Sequence, residues 1–165
     1  MAAGRNEHLV VIMLEPVPKG KEFEIWDRHI TLVPWFPVDD ELRLDDILER
    51  IAGKHGKFTV KAGGLEEWGR KEKYPVQLID SEFRLQSLHR SIFKALENNG
   101  FPVHQKDYLG DNYTPHIALR NRLQKGEPIP AGTEIPVTEF TLVSQARLKG
   151  SGRMIKKLVR DYELG

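Results

Sequence analysis

Cysteine is absent from the 165 residues. That excludes disulfides, thiolate nucleophiles and cysteine-ligated zinc. It also suits a reducing compartment, so a cytoplasmic protein is the expectation. Long hydrophobic runs are missing too. No stretch of 18 apolar residues occurs, so nothing is expected to span a membrane. The polar start, Met1 to Glu7, has no apolar signal region. Neither sign of charge dominates: 25 Lys and Arg stand against 24 Asp and Glu, a net charge of +1. Bulk electrostatics therefore names no partner. There is no His-Glu-x-x-His pair and no acidic cluster beside two histidines, which argues against a metal site. A Walker-type phosphate loop is also missing, which argues against ATP-driven ligation.

What is present is one short phrase written twice. His29-Ile30-Thr31-Leu32 and His116-Ile117-Ala118-Leu119 each read His, apolar, small, apolar. They lie about half the chain apart. In a strand the side-chain period is two, so His29 and Thr31 share one face while Ile30 and Leu32 anchor the other. Two imidazoles across a cleft make a general acid and a general base. An ordinary imidazole titrates near neutrality, so both protonation states are available. That pair is sufficient for phosphodiester chemistry without a cofactor. Thr31 offers a hydroxyl to a non-bridging phosphate oxygen. In the second phrase Ala118 holds that position without a hydroxyl. Arg120, two residues further along the same face, is a candidate to compensate through its guanidinium fork.

Length and an apolar fraction of 39% fit a single globular domain over residues 1–165. The elements expected along the chain begin with a buried strand at 8–14 and a His strand within 26–36. A helix follows Asp39-Asp40 and stops at Gly53 or Gly56. Strands at 58–62 and 74–79 flank a Gly63-Gly64 turn. A second helix is capped by Asp80 or Ser81 and ends at Asn98-Asn99-Gly100. Strands are expected at 101–107 and 113–120, then a Pro- and Gly-rich loop at 126–136. A closing hairpin joins the strand at 137–148 to a final strand through Gly150-Ser151-Gly152. Two similar lobes, each giving a His strand to a shared groove, account for this order.

Other residues are secondary candidates. Trp35 falls on the His29 face by parity and is suited to stack on a base. Tyr113 and Tyr108 are further stacking candidates. Lys149 and Arg153 flank the Gly-Ser-Gly turn within a basic run from Arg147 to Arg160 and are placed to meet a nucleotide phosphate. His8, His55, His89 and His104 lie in no such phrase and read as surface or structural residues.

On these motifs the chain resembles the two-histidine phosphoesterase superfamily, and most closely its 2′-5′ RNA ligase and RNA cyclic phosphodiesterase branch. His29-Ile30-Thr31-Leu32 followed by Val33-Pro34-Trp35-Phe36 matches the first family motif. Thr114-Pro115-His116-Ile117-Ala118-Leu119-Arg120 matches the second apart from Ala118, where the family has Thr or Ser. The ending Tyr162-Glu163-Leu164-Gly165 is also similar. The resemblance implies a bilobal α+β fold, with two antiparallel sheets around a central cleft and helices packed outside. It implies opening of 2′,3′-cyclic phosphates, or cleavage and joining of 2′-5′ linkages, without metal or other cofactor. His29 would be the proton donor, His116 the acceptor and Thr31 a phosphate ligand. RNA ends or cyclic-phosphate nucleotides would be the partners, and nothing demands more than a monomer. Two rivals stay open: a non-catalytic RNA or nucleotide binder on the same cleft, which Ala118 favours, and an interaction domain whose histidines are incidental.

Overall fold

The computed structural model describes residues 7–80, 82–104, 106–107, 109–121 and 123–165. Ser81 and Tyr108, named above as cap and stacking candidates, lie outside the described residues, as do positions 1–6. Nine strands and two helices follow in order. They are β1 (Glu7–Met13), β2 (Glu22–Phe23), β3 (His29–Pro37), α1 (Glu41–Lys54), β4 (Phe58–Trp68) and β5 (Tyr74–Ile79). Then come α2 (Phe83–Asn98), β6 (His116–Ala118), β7 (Glu134–Val137), β8 (Glu139–Arg147) and β9 (Met154–Glu163).

The α+β class holds, but the strands form one sheet rather than two. Its order is β2-β9-β8-β1-β3-β6-β5-β4-β7, and every neighbouring pair is antiparallel. The physical reason lies at the centre. β3 and β6 are the inner strands of the two halves, and each alone would present a row of unpaired backbone groups. They pair with each other, with Ile30 opposite Ile117, and the ladder continues across the seam.

Alternation along the central strands decides what each face buries. Val10, Ile12, Ile30, Leu32 and Ile117 point to the main core. There they meet the apolar stripes of the helices, Leu44, Leu48 and Ile51 from α1 and Leu85, Leu88, Ile92 and Leu96 from α2. The helix period of 3.6 puts these residues on one stripe each. Asp40 caps α1, its side chain accepting from the backbone N–H of Arg43 at 3.1 Å, a contact worth about 1 kcal/mol. The opposite face of the sheet carries a smaller cluster of Leu9, Val11, Trp26, Val143 and Leu158, and the two motif histidines.

Several expected boundaries move. The Gly63-Gly64 pair is no turn: β4 runs through it, with a register shift between Ala62 and Leu65. A Cβ on Gly63 would sit 2.6 Å from Asp80 Oδ1 and 3.0 Å from the Leu78 carbonyl oxygen, so glycine serves close approach there. Residues 101–107 form no strand among those described. Phe101 and Val103 are buried, but Pro102 between them has no N–H to give a ladder. The second His strand shrinks from 113–120 to His116–Ala118, with Pro115 at its entrance. The Pro- and Gly-rich loop supplies β7, which pairs with β4 at the sheet edge and tolerates Pro136 there. The long strand expected over 137–148 divides into the end of β7 and all of β8. α1 passes Gly53 to end at Lys54, and Glu82 rather than Asp80 caps α2. The ambiguous last segment is the strand β9. β2 is unexpected, being two residues long.

Candidate active site

The seam between β3 and β6 builds the site. With Ile30 opposite Ile117, the antiparallel register sets Thr31 beside His116 and His29 beside Ala118. Those four side chains share the face away from the helices, while the two isoleucines hold the strands in the core. His29 and His116 occupy a diagonal, a relation that separates backbone positions by about 7–8 Å in an antiparallel pair. Imidazole side chains can converge on one small group from that distance.

Both rings are oriented in the same way. Nδ1 of His29 donates to the Asp27 carbonyl at 2.9 Å, and Nδ1 of His116 donates to the Thr114 carbonyl at 2.9 Å. A carbonyl only accepts, so each neutral ring carries its proton on Nδ1 and leaves Nε2 as a bare base. Each ring also lies against a tryptophan. Trp26 packs on His29 with centroids 4.1 Å apart, and Trp68 packs on His116 at 4.3 Å.

Their surroundings differ. His29 is 7% exposed, and its pKa falls to about 4. Burial is the main cause, partly opposed by the Asp27 carbonyl. The positive charges of His116 and Lys156 lower it further. His116 is half-buried, and burial lowers its pKa too, against the Thr114 carbonyl.

A cavity of about 660 Å³ opens beside His116. Thr31 and Tyr113 line it on the seam side, and Trp68, Arg70 and Tyr74 line it further out. The Tyr113 hydroxyl donates to the Thr31 carbonyl at 2.8 Å, and burial pushes its pKa well up. Tyr113 also stacks on His89, with centroids 3.9 Å apart.

The remaining sequence candidates are placed apart from this cavity. Trp35 is half-buried against the smaller cluster on the His29 face; β3 carries two one-residue bulges, one between Thr31 and Val33 and one between Val33 and Phe36, which together return the strand to its original parity. Arg120 lies beyond β6, is exposed, and pairs with Glu127 at 3.7 Å. It is not among the residues that line the cavity. Arg153 is ion-paired with Glu24, and Lys149 is exposed in the β8–β9 turn. His89 is fully buried, and His55 and His104 bond to Ser91 and Glu7. His8 is buried beside Glu41.

Three contributors were not legible in the sequence. Trp26 and Trp68 belong to no motif, and only the fold brings them onto the histidines. Lys156 is buried at 3% exposure, donates to the Glu24 carbonyl at 2.6 Å, and lies 6.0 Å from the Trp26 ring centroid. It belongs to the basic run already noted, but nothing local separates it from exposed Lys157. Among the described residues no three His, Asp or Glu side chains are grouped as metal ligands. No helix among the described residues is long and apolar enough to cross a membrane.

The same fold occurs in known proteins. The model of the 2′-5′ RNA ligase superfamily matches residues 9–147. The crystal structure of E. coli LigT complexed with 3′-AMP is similar over 97% of this chain and 98% of its own, at 19% identity and a TM-score of 0.65. A structure described as a phosphoesterase gives 0.66 at 18% identity, covering 97% of this chain and 98% of that one. TT0787 of Thermus thermophilus gives 0.63 at 17% identity, covering 96% of this chain and 97% of its own. At these identities the likeness is one of fold. No curated protein matches this chain by sequence.

Proposed function

We propose that this chain, which belongs to the 2′-5′ RNA ligase superfamily, is a phosphodiesterase acting on RNA ends or nucleotides through paired imidazoles. The observation that carries the reading is the pair itself: two rings on one face of adjacent strands, each locked by its Nδ1–H and each offering a bare Nε2. One Nε2 takes the proton of the attacking hydroxyl or water. The other, once protonated, gives its proton to the leaving ribose oxygen. Each transfer is worth about 10²–10⁴-fold. The Thr31 hydroxyl is the ligand for a non-bridging phosphate oxygen, and Tyr113 fixes the backbone that carries it.

Electrostatics favours His29 as the acceptor and His116 as the donor, the reverse of the direction the resemblance implies. His29 is the more buried ring and feels Lys156, so it stays neutral. A phosphodiester anion bound at the pair restores a proton more easily to His116. The 3′-AMP in the E. coli LigT structure supports a nucleotide as the ligand. Opening of 2′,3′-cyclic phosphates and handling of 2′-5′ linkages are the two activities the site chemistry allows.

The test is hydrolysis of 2′,3′-cyclic nucleotides with chelator present. Turnover is expected in the wild type, with a loss of about 10²–10⁴-fold in His29→Ala and in His116→Ala. If the wild type turns over no such substrate, and both variants bind RNA as it does, the protein is a nucleotide-binding module on the same cleft. Ala118 is the observation that favours that second reading, because one phosphate ligand is missing.

A further inference from the structure

A cation lies buried beside the histidine pair and belongs to neither motif. Lys156 stands on β9 two residues before Leu158, which joins the smaller cluster on the site face. Period two puts both side chains on that face. Lys156 is 3% exposed, and its ammonium donates to the Glu24 carbonyl at 2.6 Å. The ammonium lies 6.0 Å from the centroid of Trp26, whose ring packs on His29 at 4.1 Å. One aromatic layer therefore stands between this charge and the His29 imidazole.

The carboxylates along the covering segment are engaged with other cations. Glu15 pairs with Arg28, Glu24 with Arg153 and Asp27 with Lys125. Burial lowers the Lys156 pKa, and no carboxylate among the described residues raises it. A buried ammonium without an opposite charge is costly, because water solvates that charge better than the interior does. The histidines bring no relief, since a proton on His29 is repelled by this same ammonium and by His116. The site face thus carries a fixed positive charge that lacks an anion.

A phosphate bound at the pair supplies that anion. Ala118 leaves the phosphate one hydroxyl short, and the Arg120 guanidinium is paired with Glu127. We propose that Lys156 is the charge partner of the bound phosphate, a positioning residue that acts across the Trp26 layer without touching the substrate. The phosphodiesterase reading fixes where the phosphate sits, and the proposal rests on it for that. No contact is needed. In the poorly screened interior, opposite charges one side-chain layer apart attract strongly enough to change affinity about tenfold.

The charge can be isolated from the imidazoles by working at pH 8. Burial holds both histidines below the ordinary 6.5, so both are neutral there. The probes are 3′-AMP and adenosine, which differ in one dianionic phosphate, titrated calorimetrically. At about 0.15 M salt, exposed cations such as Arg70 on the cavity wall are largely screened. The wild type is expected to prefer 3′-AMP by at least about tenfold. Lys156→Met keeps an unbranched side chain and removes the charge. It is expected to lose about tenfold of the preference while binding adenosine as the wild type does. Lys156→Arg is expected to keep most of it. An apolar side chain in place of a buried charge is often neutral or stabilising, so the urea midpoint of Lys156→Met should not fall.

A preference for 3′-AMP that survives intact in Lys156→Met overturns the proposal. So does a loss in Lys156→Arg as deep as in Lys156→Met, which would make shape the cause and not charge. A wild type with no preference at pH 8 overturns it without any variant. In hydrolysis of 2′,3′-cyclic AMP, Lys156→Met is expected to raise KM more than it lowers kcat. A wild type that never hydrolyses this substrate overturns the phosphodiesterase reading, and the 3′-AMP titration still decides the role of Lys156.

Discussion

His29 and His116 have the same tautomer and the same kind of backbone anchor, so their difference comes from what surrounds them. Burial beneath Trp26 and the nearby Lys156 charge hold the His29 pKa at about 4. Burial also holds His116 below its ordinary 6.5. A base works only when deprotonated and an acid only when protonated. The free protein therefore has its working form above about pH 4 and below the lowered pKa of His116, which lies under the ordinary imidazole value. We expect kcat/KM, which reports the free enzyme, to peak in that window and to fall by pH 8. A profile with its acid limb at the ordinary imidazole value would show that His29 is not the acceptor. This difference could not be read from the chain. The His-x-small-x phrase fixes the face of each ring, but its burial depends on Trp26 and Lys156, which belong to other segments.

At the scale of elements, α2 is tied to the site by one side chain. His89 is fully buried, and its Nδ1–H donates to the Leu32 carbonyl of β3 at 2.6 Å. Its Nε2 accepts from the Gly110 N–H at 2.9 Å, and its ring stacks on Tyr113. One helix residue thus holds the His29 strand and the segment that leads to His116. His89→Phe keeps the ring and removes both hydrogen bonds. It leaves a buried carbonyl and a partly buried N–H without this partner, so chemical denaturation should reveal a loss of about 2–4 kcal/mol. A loss under about 1 kcal/mol would mean that other contacts hold the join. The helical period of Leu85, Leu88, Ile92 and Leu96 was clear in the sequence, which left His89 as a surface or structural residue. That the ring ends on Leu32 and Gly110 was not legible, because helix periodicity gives a face and no partner.

At the scale of the molecule, one core and one sheet cross the seam. The main cluster joins β1 and β3 to β4, β6 and both helices, while the ladder runs through Ile30 and Ile117. Trp26 reports on one side of the seam and Trp68 on the other. Urea unfolding followed by tryptophan fluorescence and by far-UV circular dichroism should therefore give coincident midpoints. Separate midpoints would show that the two halves unfold apart.

Local chemistry and most of the elements were already written in the order of residues. Period two put His29 with Thr31 and His116 with Ala118, period 3.6 marked α1 and α2, and the spacing of the phrases announced paired imidazoles. These are consequences of covalent geometry acting over a few residues. Folding alone made β3 and β6 neighbours in one sheet, turned Arg120 towards Glu127, and set Trp26 over the His29 end while the cavity opens at His116. Such outcomes depend on which distant segments pair and bury each other. Alternation within one strand carries no record of that choice, because any apolar face can be covered by many partners.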